Sequence, residues 1–163
     1  MKGEGEGGRH LCCAPMNSPA LDPRTVERVV ASFQRQSAMR LIRAAMVRVE
    51  HGCTEIHVRH WVGVEQQHGF VHGGVVGMIA DSAAGCAAMT LVPEDASVMT
   101  VEYKMNLMDP ADGDVIIARG RVLQPGRTLI VAQAEVFAVK HGTPTPCALM
   151  QQTLMVVHGK AES

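Results

Sequence analysis

One carboxylate stands out because of where it lies. Asp81 is the only charged residue between Gln66 and Leu91, a stretch of small and apolar residues. An ionised carboxylate in apolar surroundings costs several kcal/mol unless something compensates. One reason for its presence is catalysis, since a carboxylate with a tuned pKa can act as general base or nucleophile. The other is structural, because Asp81 and Ser82 can cap a helical segment that restarts after a break.

The second feature with chemical potential is His72-Gly73-Gly74, just before the apolar stretch. Two glycines allow a backbone or a ligand to approach closely. A helix N-terminus offers unpaired N–H groups and a partial positive charge, which can hold an oxyanion formed at a carbonyl. The alternative, and the commoner use of a Gly-Gly pair, is a strand-to-helix turn in which glycine relieves strain.

Helix geometry limits how these two features can cooperate. Gly73 and Asp81 are eight residues apart, which is about 12 Å along one helix. They cannot both contact the same carbonyl group. If both serve one reaction, the N–H must come from one subunit and the carboxylate from another. That requires a two-fold dimer whose helices lie side by side and run in opposite directions.

The elements that position these residues follow from periodicity and turn signals. Residues 72–91 are apolar almost all round, which predicts a helix buried on most sides. Asp22-Pro23 predicts the start of an N-terminal helix that ends near Gln36. His51-Gly52 predicts a turn, and Pro125-Gly126 a type II turn. Strand patterns cover residues 41–50, 55–59, 101–107, 114–123, 128–139 and 147–157. The last four strands are expected to form a meander, so the fold class is α+β with an antiparallel sheet.

Length and charge bound the class of protein. The 163 residues fit one domain, which we expect over residues 21–163, after a low-complexity and disordered segment at residues 1–20. The net charge of −1 and the lack of a basic cluster argue against a nucleic-acid partner. No apolar run is long enough for a membrane span. The cysteines show no C-x-x-C spacing and predict free thiols in a cytoplasmic setting; they are Cys12, Cys13, Cys53, Cys86 and Cys147.

Three strings resemble one known family. The string G-F-V-H-G-G-V-V-G-M-I-A-D, residues 69–81, resembles the core motif of the hot-dog-fold acyl-CoA thioesterases. The branch it resembles contains the phenylacetate-pathway (PaaI) enzymes and thioesterase superfamily member 2. Residues 100–111 resemble that branch's third strand with its Pro-Ala ending, and residues 126–129 its G-[RK]-x-L hairpin. The resemblance covers about residues 35–158 and implies a hot-dog fold, a curved antiparallel sheet wrapped around one long helix.

The resemblance also implies roles for five residues. Asp81 would be the general base for water or a nucleophile that forms a mixed anhydride. The Gly73 N–H would polarise the thioester carbonyl from the neighbouring subunit. Gln66 stands where the family usually has Asn, so it keeps the amide with a longer reach. Thr100 stands where a Ser or Thr often accompanies the carboxylate, and His72 would shape the turn or lie on the carbonyl side.

The substrate and assembly are implied in the same way. Gly74, Val75 and Arg127 would contact the acyl-CoA, with Arg127 near the nucleotide. The resemblance implies no cofactor and a homodimer or homotetramer with active sites at the subunit interface. A non-catalytic acyl-CoA-binding hot-dog module is the alternative, and the replacement of Asn by Gln66 keeps it open.

A zinc site is the competing interpretation of the histidines. His57, His60, His68 and His72 fall within sixteen residues. The i, i+4 pair His68/His72 lacks the Glu of H-E-x-x-H, and a glycine follows its first histidine. We therefore expect no metal, and interpret these residues as strand and turn histidines.

Overall fold

A computed structural model of the protein describes residues 20–159. Residues 1–19, most of the segment predicted to be disordered, and residues 160–163 lie outside the described residues. The helices are α1 (Pro23–Arg35), α2 (Ser37–Leu41) and α3 (Gly73–Met89). The strands are β1 (Ala45–Glu50), β2 (Cys53–Arg59), β3 (Ala96–Leu107), β4 (Val115–Gln124), β5 (Leu129–Lys140) and β6 (Thr143–His158). A short 3-10 helix, Val62–Val64, precedes α3.

All six strands form one antiparallel sheet in the order β1-β2-β4-β5-β6-β3. Helix α3 packs against every strand from β2 to β6. The predicted α+β architecture, a curved antiparallel sheet around one long helix preceded by an N-terminal helix, is confirmed. The meander is wrong in one respect, because β3 pairs with β6 rather than with β4. Helix α3 delivers the chain to the β6 edge, and residues 108–114 lead it back to β4 beside β2.

Small residues let α3 lie close to the sheet. A Cβ atom at Gly120 of β4 would collide with the backbone of Ala83, so glycine is needed at this crossing. Thr54 of β2 donates a hydrogen bond of 2.6 Å to the Ala83 carbonyl, which ties the helix to the neighbouring strand. The inner face of β5 is built from the alternating buried residues Ile130, Ala132, Ala134, Val136 and Ala138. The helix predicted over residues 72–91 is confirmed as α3.

The N-terminal segment contains both a confirmed and a wrong prediction. Helix α1 begins as expected, with the Asp22 side chain accepting a hydrogen bond of 2.9 Å from the Arg24 N–H. The strand predicted over residues 41–50 begins only at residue 45, because residues 37–41 form α2. Met39 and Ile42 are buried three residues apart, a helical spacing. Arg43 then turns the chain into β1 with a positive φ of 57°.

The loops and remaining boundaries show smaller differences. Strand β2 begins at Cys53 after the predicted turn, where Gly52 has a φ of 71°. The type II turn at Pro125-Gly126 is wrong, because Gly126 is not among the described glycines with positive φ. Its lack of a side chain instead allows a close approach to the Leu129 carbonyl. Within residues 20–159 no helix is long and apolar enough to cross a membrane.

Candidate active site

Asp81 lies in the middle of an unbroken helix. Helix α3 runs from Gly73 to Met89 without interruption, so the interpretation of Asp81 as a cap after a break is wrong. The side chain is half-buried and lines a cavity of about 270 Å³. Thr100 of β3 lines the same cavity, and its Oγ1 donates a hydrogen bond of 2.7 Å to Asp81 Oδ1. The structure therefore brings these two predicted site residues together.

A β-bulge gives Thr100 this position. The pairing of β3 with β6 shifts between Thr100 and Glu102, so Val101 is the extra residue. Thr100 pairs with the buried Leu154 and Tyr103 with the buried Gln152, so both face the inner side of the sheet. The alternation predicted from Val101 to Leu107 therefore holds from Glu102 onward and fails only at Val101. The bulge, a device common next to active sites, turns the hydroxyl towards α3.

Gln152 of β6 lies buried beneath Asp81. It is 1% exposed, and its Nε2 donates a long hydrogen bond of 3.4 Å to the backbone carbonyl of Asp81. Its Oε1 is buried without a hydrogen-bond partner among the described residues. A buried amide with an unsatisfied oxygen is costly, so Gln152 marks a place where the sheet supports the helix at Asp81. The sequence predicted β6 but gave no reason to single out this residue.

The other predicted residues gather at the start of α3. His72 is the N-cap, and its Nδ1 accepts a hydrogen bond of 2.9 Å from the Gly74 N–H. The N–H groups of Val75 and Val76 both donate to the His72 carbonyl. In this first turn the Gly73 N–H therefore remains without an acceptor within residues 20–159. Gly73 lines a second cavity of about 470 Å³.

Crowding explains why residue 73 is a glycine. A Cβ atom there would lie 2.9 Å from Leu107 Cδ1 at the end of β3. That separation is shorter than ordinary carbon contacts of 3.5–4.0 Å, so either Leu107 or the start of α3 would have to move. Glycine thus keeps the N–H accessible beside a large apolar side chain. The geometry thus gives Gly73 a packing reason in addition to the predicted chemical one.

Gln66 lines the same cavity as Gly73. Its side-chain Oε1 accepts a hydrogen bond from the His68 N–H, and its backbone carbonyl accepts one of 3.0 Å from Gly69. The amide oxygen is thus used to hold the loop before α3. The Nε2 group is left as the donor of this side chain, with no partner among the described residues.

A thiol also lines the Gly73 cavity. Cys147 of β6 is 1% exposed, and its burial raises the pKa of the thiol to about 11. The thiol is therefore protonated at neutral pH, and a protonated thiol is a poor nucleophile. Cys53 and Cys86 are also buried and are thiols rather than disulfides, while Cys12 and Cys13 lie outside the described residues.

The remaining predicted contacts are scattered. Gly74 and Val75 lie in the first turn of α3, with both N–H groups engaged by His72. Arg127 is exposed in the connection between β4 and β5 and lines neither of the two cavities. No three His, Cys, Asp or Glu side chains between residues 20 and 159 are grouped to hold a metal. His57 instead contacts Glu55, at 2.6 Å.

Two residues of the Asp81 cavity were missed by sequence reasoning. Ser32 and Gln36 of the α1 region line it, and Gln36 Oε1 accepts a hydrogen bond of 3.1 Å from Ser82. A signal existed, because Val29, Ser32, Phe33 and Gln36 follow the i, i+3, i+4, i+7 spacing of one helix face. Two polar residues on a buried stripe are unusual, and they indicate a cavity rather than a packed core.

Comparison with known proteins identifies the family. A crystal structure of a thioesterase family protein from Silicibacter pomeroyi is 39% identical, with a TM-score of 0.81 over 83% of this chain and 99% of that chain. The family model described as "Thioesterase superfamily" matches residues 68–145. This chain belongs to the thioesterase superfamily. The matched segment includes Gly73, Asp81 and Thr100, and it begins after Gln66.

More distant matches include a solved structure with the same fold and two proteins named as esterases. The PaaI protein of the E. coli phenylacetic acid degradation operon has a TM-score of 0.74 at 15% identity, over 86% of this chain and 99% of that chain. An esterase-named protein of Saccharolobus solfataricus is 28% identical over 90 residues, 55% of this chain and 64% of that protein. This chain spans less than two-thirds of that relative, and 46% of a second esterase-named protein, from Halobacterium salinarum.

Proposed function

We propose that the chain is an acyl-CoA thioesterase that hydrolyses an acyl- or aryl-CoA thioester to the free acid and CoA. The observation that carries this proposal is the hydrogen bond of 2.7 Å from Thr100 to Asp81 at the wall of a cavity. The Thr100 hydroxyl donates its hydrogen bond to Asp81 Oδ1 and so orients the carboxylate. Oδ2 is then available for a water molecule or for the thioester carbon. Membership of the thioesterase superfamily supports the reaction class.

Two chemical routes use the same carboxylate. As general base, Asp81 takes a proton from water while the oxygen attacks the thioester carbon; the C–S bond then breaks and CoA leaves as a thiol after accepting the proton. As nucleophile, Asp81 itself attacks, CoA leaves, and water hydrolyses the mixed anhydride. In both routes negative charge develops on the carbonyl oxygen. The Gly73 N–H is the proposed donor that stabilises this charge.

The donor comes from the partner subunit in this proposal. Gly73 and Asp81 line separate cavities of one chain and are about 12 Å apart along α3. A second copy, with its α3 running in the opposite direction, can bring its Gly73 to this chain's Asp81. Two-fold symmetry then produces two equivalent sites.

The sheet edges support where the second copy binds. Strand β3 is an edge strand of 12 residues, and its exposed apolar side chains include Met99, Val101, Tyr103 and Leu107. The opposite edge, β1, has only 6 residues and is interrupted by a bulge after Met46. Long edge strands with exposed apolar side chains pair with other strands, whereas very short edge strands resist pairing. We therefore propose a homodimer paired through β3, with a homotetramer of two such dimers as the larger alternative.

Free-thiol release from a panel of acyl-CoA thioesters tests the activity. The wild type is expected to release CoA from at least one thioester, and Asp81→Ala to release it at least about 10²-fold more slowly. Unchanged release by Asp81→Ala would contradict the mechanism. Absence of release from every thioester, together with tight binding of one of them, would favour the non-catalytic acyl-CoA-binding module instead.

Mixed dimers test the shared site. Asp81→Ala and Gly73→Val subunits are unfolded together, refolded together and assayed. Half of randomly paired dimers contain one subunit of each kind, and each of these has one intact site, so about a quarter of wild-type activity is expected. Either variant refolded alone is the control. No recovery in mixtures that light scattering shows to be dimeric, or a fully active monomer, would contradict the proposal.

A further inference from the structure

The cavity at Asp81 has a wall that the sheet and α3 do not provide. Ser32 and Gln36, from α1 and the residue that follows it, line one side of the cavity. Cys86, Met89 and Leu154 line it from α3 and β6. These apolar side chains are buried, and so is Ser32, at 7% exposed. Buried residues therefore form part of the cavity wall away from Asp81, and polar groups lie on its α1 side.

Helix α1 is fixed to the two elements that carry the site. The Arg28 guanidinium donates four hydrogen bonds to backbone carbonyls at the end of α3 and the start of β3; the acceptors are Met89 at 2.8 Å, Val92 at 2.9 Å, Pro93 at 2.9 Å and Ala96 at 3.1 Å. Charge-assisted bonds of this kind are stronger than neutral ones. These hydrogen bonds thus fix the position of α1 relative to α3, which carries Asp81, and to β3, which carries Thr100.

Gln36 is held at the wall by its own backbone and by Ser82. Its N–H caps α1 by donating to the Phe33 carbonyl at 3.1 Å, and its extended backbone separates α1 from α2. The side-chain Oε1 accepts a hydrogen bond of 3.1 Å from the hydroxyl of Ser82, the residue next to Asp81. The Nε2 group has no partner among residues 20–159 and can donate to a molecule in the cavity.

We propose that α1 selects the acyl group, and that the Gln36 amide, with the hydroxyls of Ser32 and Ser82, recognises a hydroxyl or carbonyl oxygen on a short acyl chain. This inference rests on the proposed thioesterase activity. When the thioester carbon lies at Asp81, the long CoA arm must reach solvent, which leaves the cavity beside α1 for the acyl group. Its volume of about 270 Å³ exceeds the roughly 150 Å³ that holds one benzene ring. A short chain or one ring fits, and a long-chain acyl group does not.

Matched substrates test the recognition. We would measure kcat/KM for straight-chain acyl-CoA thioesters from butyryl to octanoyl and for their ω-hydroxy analogues. The wild type is expected to prefer one or more hydroxylated members over the plain chain. In Gln36→Leu the hydroxy-to-plain ratio, which is kcat/KM for the hydroxylated substrate divided by kcat/KM for the plain substrate, is expected to fall about tenfold. The substrate hydroxyl would then lie against an apolar side chain without a hydrogen-bond partner. Palmitoyl-CoA is expected to be a poor substrate for both proteins.

Two further variants separate recognition from folding. Gln34→Leu is the matched control, because Gln34 is exposed on the same helix, and its ratio should equal that of the wild type. Ser32→Ala removes a hydroxyl with little change in volume and should lower the ratio several-fold. A loosened α1 would lower kcat/KM for both members of a pair and leave their ratio unchanged.

The outcomes distinguish this inference from the proposal beneath it. If the wild type releases CoA but Gln36→Leu and Ser32→Ala leave the hydroxy-to-plain ratio unchanged, recognition by α1 is wrong and the thioesterase proposal stands. Efficient hydrolysis of palmitoyl-CoA would also overturn the assignment of the acyl group to this cavity. If the wild type releases CoA from no thioester, the activity and the inference are both wrong.

Discussion

The two halves of the proposed site differ in which part of the chain supplies the chemistry. At Asp81 the functional groups are side chains, and they are held by hydrogen bonds from Thr100 and, through the backbone, from Gln152. At Gly73 the functional group is a backbone N–H, which lines a larger cavity walled by apolar residues such as Phe70 and Leu107. The Asp81 half therefore depends on the chemical identity of its side chains. The Gly73 half depends on residue 73 having no side chain that would crowd the N–H group.

This difference has a physical origin. A carboxylate must be placed and partly desolvated, so the fold has to supply partners for it. A helix N-terminus already has unpaired donors, so the fold has only to leave one of them uncovered. Substitutions in the Asp81 half should therefore act on the chemical step. Substitutions in the Gly73 half should act through shape.

The largest expected effect is that of Asp81→Asn. The amide keeps the size of the side chain and can still accept the Thr100 hydrogen bond, but it can neither take a proton from water nor attack the thioester. We expect kcat to fall about 10²- to 10⁴-fold with a small change in KM. Steady-state kinetics measure both constants, and circular dichroism checks the fold. A fall in kcat below tenfold would remove Asp81 from the chemistry.

Gly73→Ala should have the next largest effect, for a steric reason. Its Cβ would lie 2.9 Å from Leu107 Cδ1, so the first turn of α3 or Leu107 must shift. Displacing an oxyanion donor is expected to lower kcat by about 10²-fold, the lower end of the effect of removing one. Gly77→Ala is the matched control, since a Cβ there meets the flexible Met105 Sδ at 3.4 Å.

A second substitution shows whether shape is the cause. Leu107→Ala removes the atom that the new Cβ would meet, so Gly73→Ala/Leu107→Ala should recover part of the lost kcat. Such recovery is non-additive, as expected for residues in contact. If the double variant is instead the product of the two single effects, the loss at Gly73 does not arise from this contact.

Thr100→Val should have a moderate effect. Valine keeps the shape of threonine and leaves Asp81 Oδ1 without its hydrogen bond of 2.7 Å. A hydrogen bond to a charged group contributes about 1.5–3 kcal/mol, so we expect kcat/KM to fall between about 10-fold and 10²-fold. Thr100→Ser, which keeps the hydroxyl, should retain most of the activity. Equal losses in the valine and serine variants would assign Thr100 a packing role only.

The sequence predicted best what local residues determine. The buried helix, the N-cap at Asp22 and the strand runs of β4 and β5 follow from periodicity and turn residues over a few positions. The pairing of β3 with β6 was not predicted, because strand order depends on where α3 crosses the sheet. The bulge at Val101 was missed for a related reason, since a bulge is a property of two paired strands.

The candidate site shows the same division. Asp81 was found as a lone charge in an apolar stretch, and Gly73 as part of a glycine pair before a helix. Thr100 entered only through the family resemblance, because nothing in its neighbours indicates a partner nineteen residues away. Gln36 and Gln152 reach the Asp81 region from distant segments. Their proximity is a consequence of tertiary packing, which periodicity does not encode.

The smallest expected effect is that of Cys147→Ala, and it tests whether the Gly73 half contributes side-chain chemistry. Burial raises the pKa of the Cys147 thiol to about 11, so almost none is thiolate at neutral pH. We expect kcat/KM at pH 7 to change by less than about twofold, with alkylation of the native thiol by iodoacetamide correspondingly slow. A loss of activity as large as that of Asp81→Asn would break the distinction between the two halves.

The same thiol gives a pH dependence of stability with a defined sign. An unfolded cysteine loses its proton near pH 8.5, whereas native Cys147 keeps it up to about pH 11. Between these values the native state binds more protons than the unfolded state, so its stability falls as pH rises. The stabilisation is complete below about pH 8.5 and is lost towards pH 11. Because Cys147→Ala lacks this proton, urea unfolding at pH 8 and pH 10 should show the wild type losing about 1–2 kcal/mol more than the variant. An identical loss in the two proteins would mean that the thiol of the Gly73 cavity is hydrated and as acidic as in the unfolded chain.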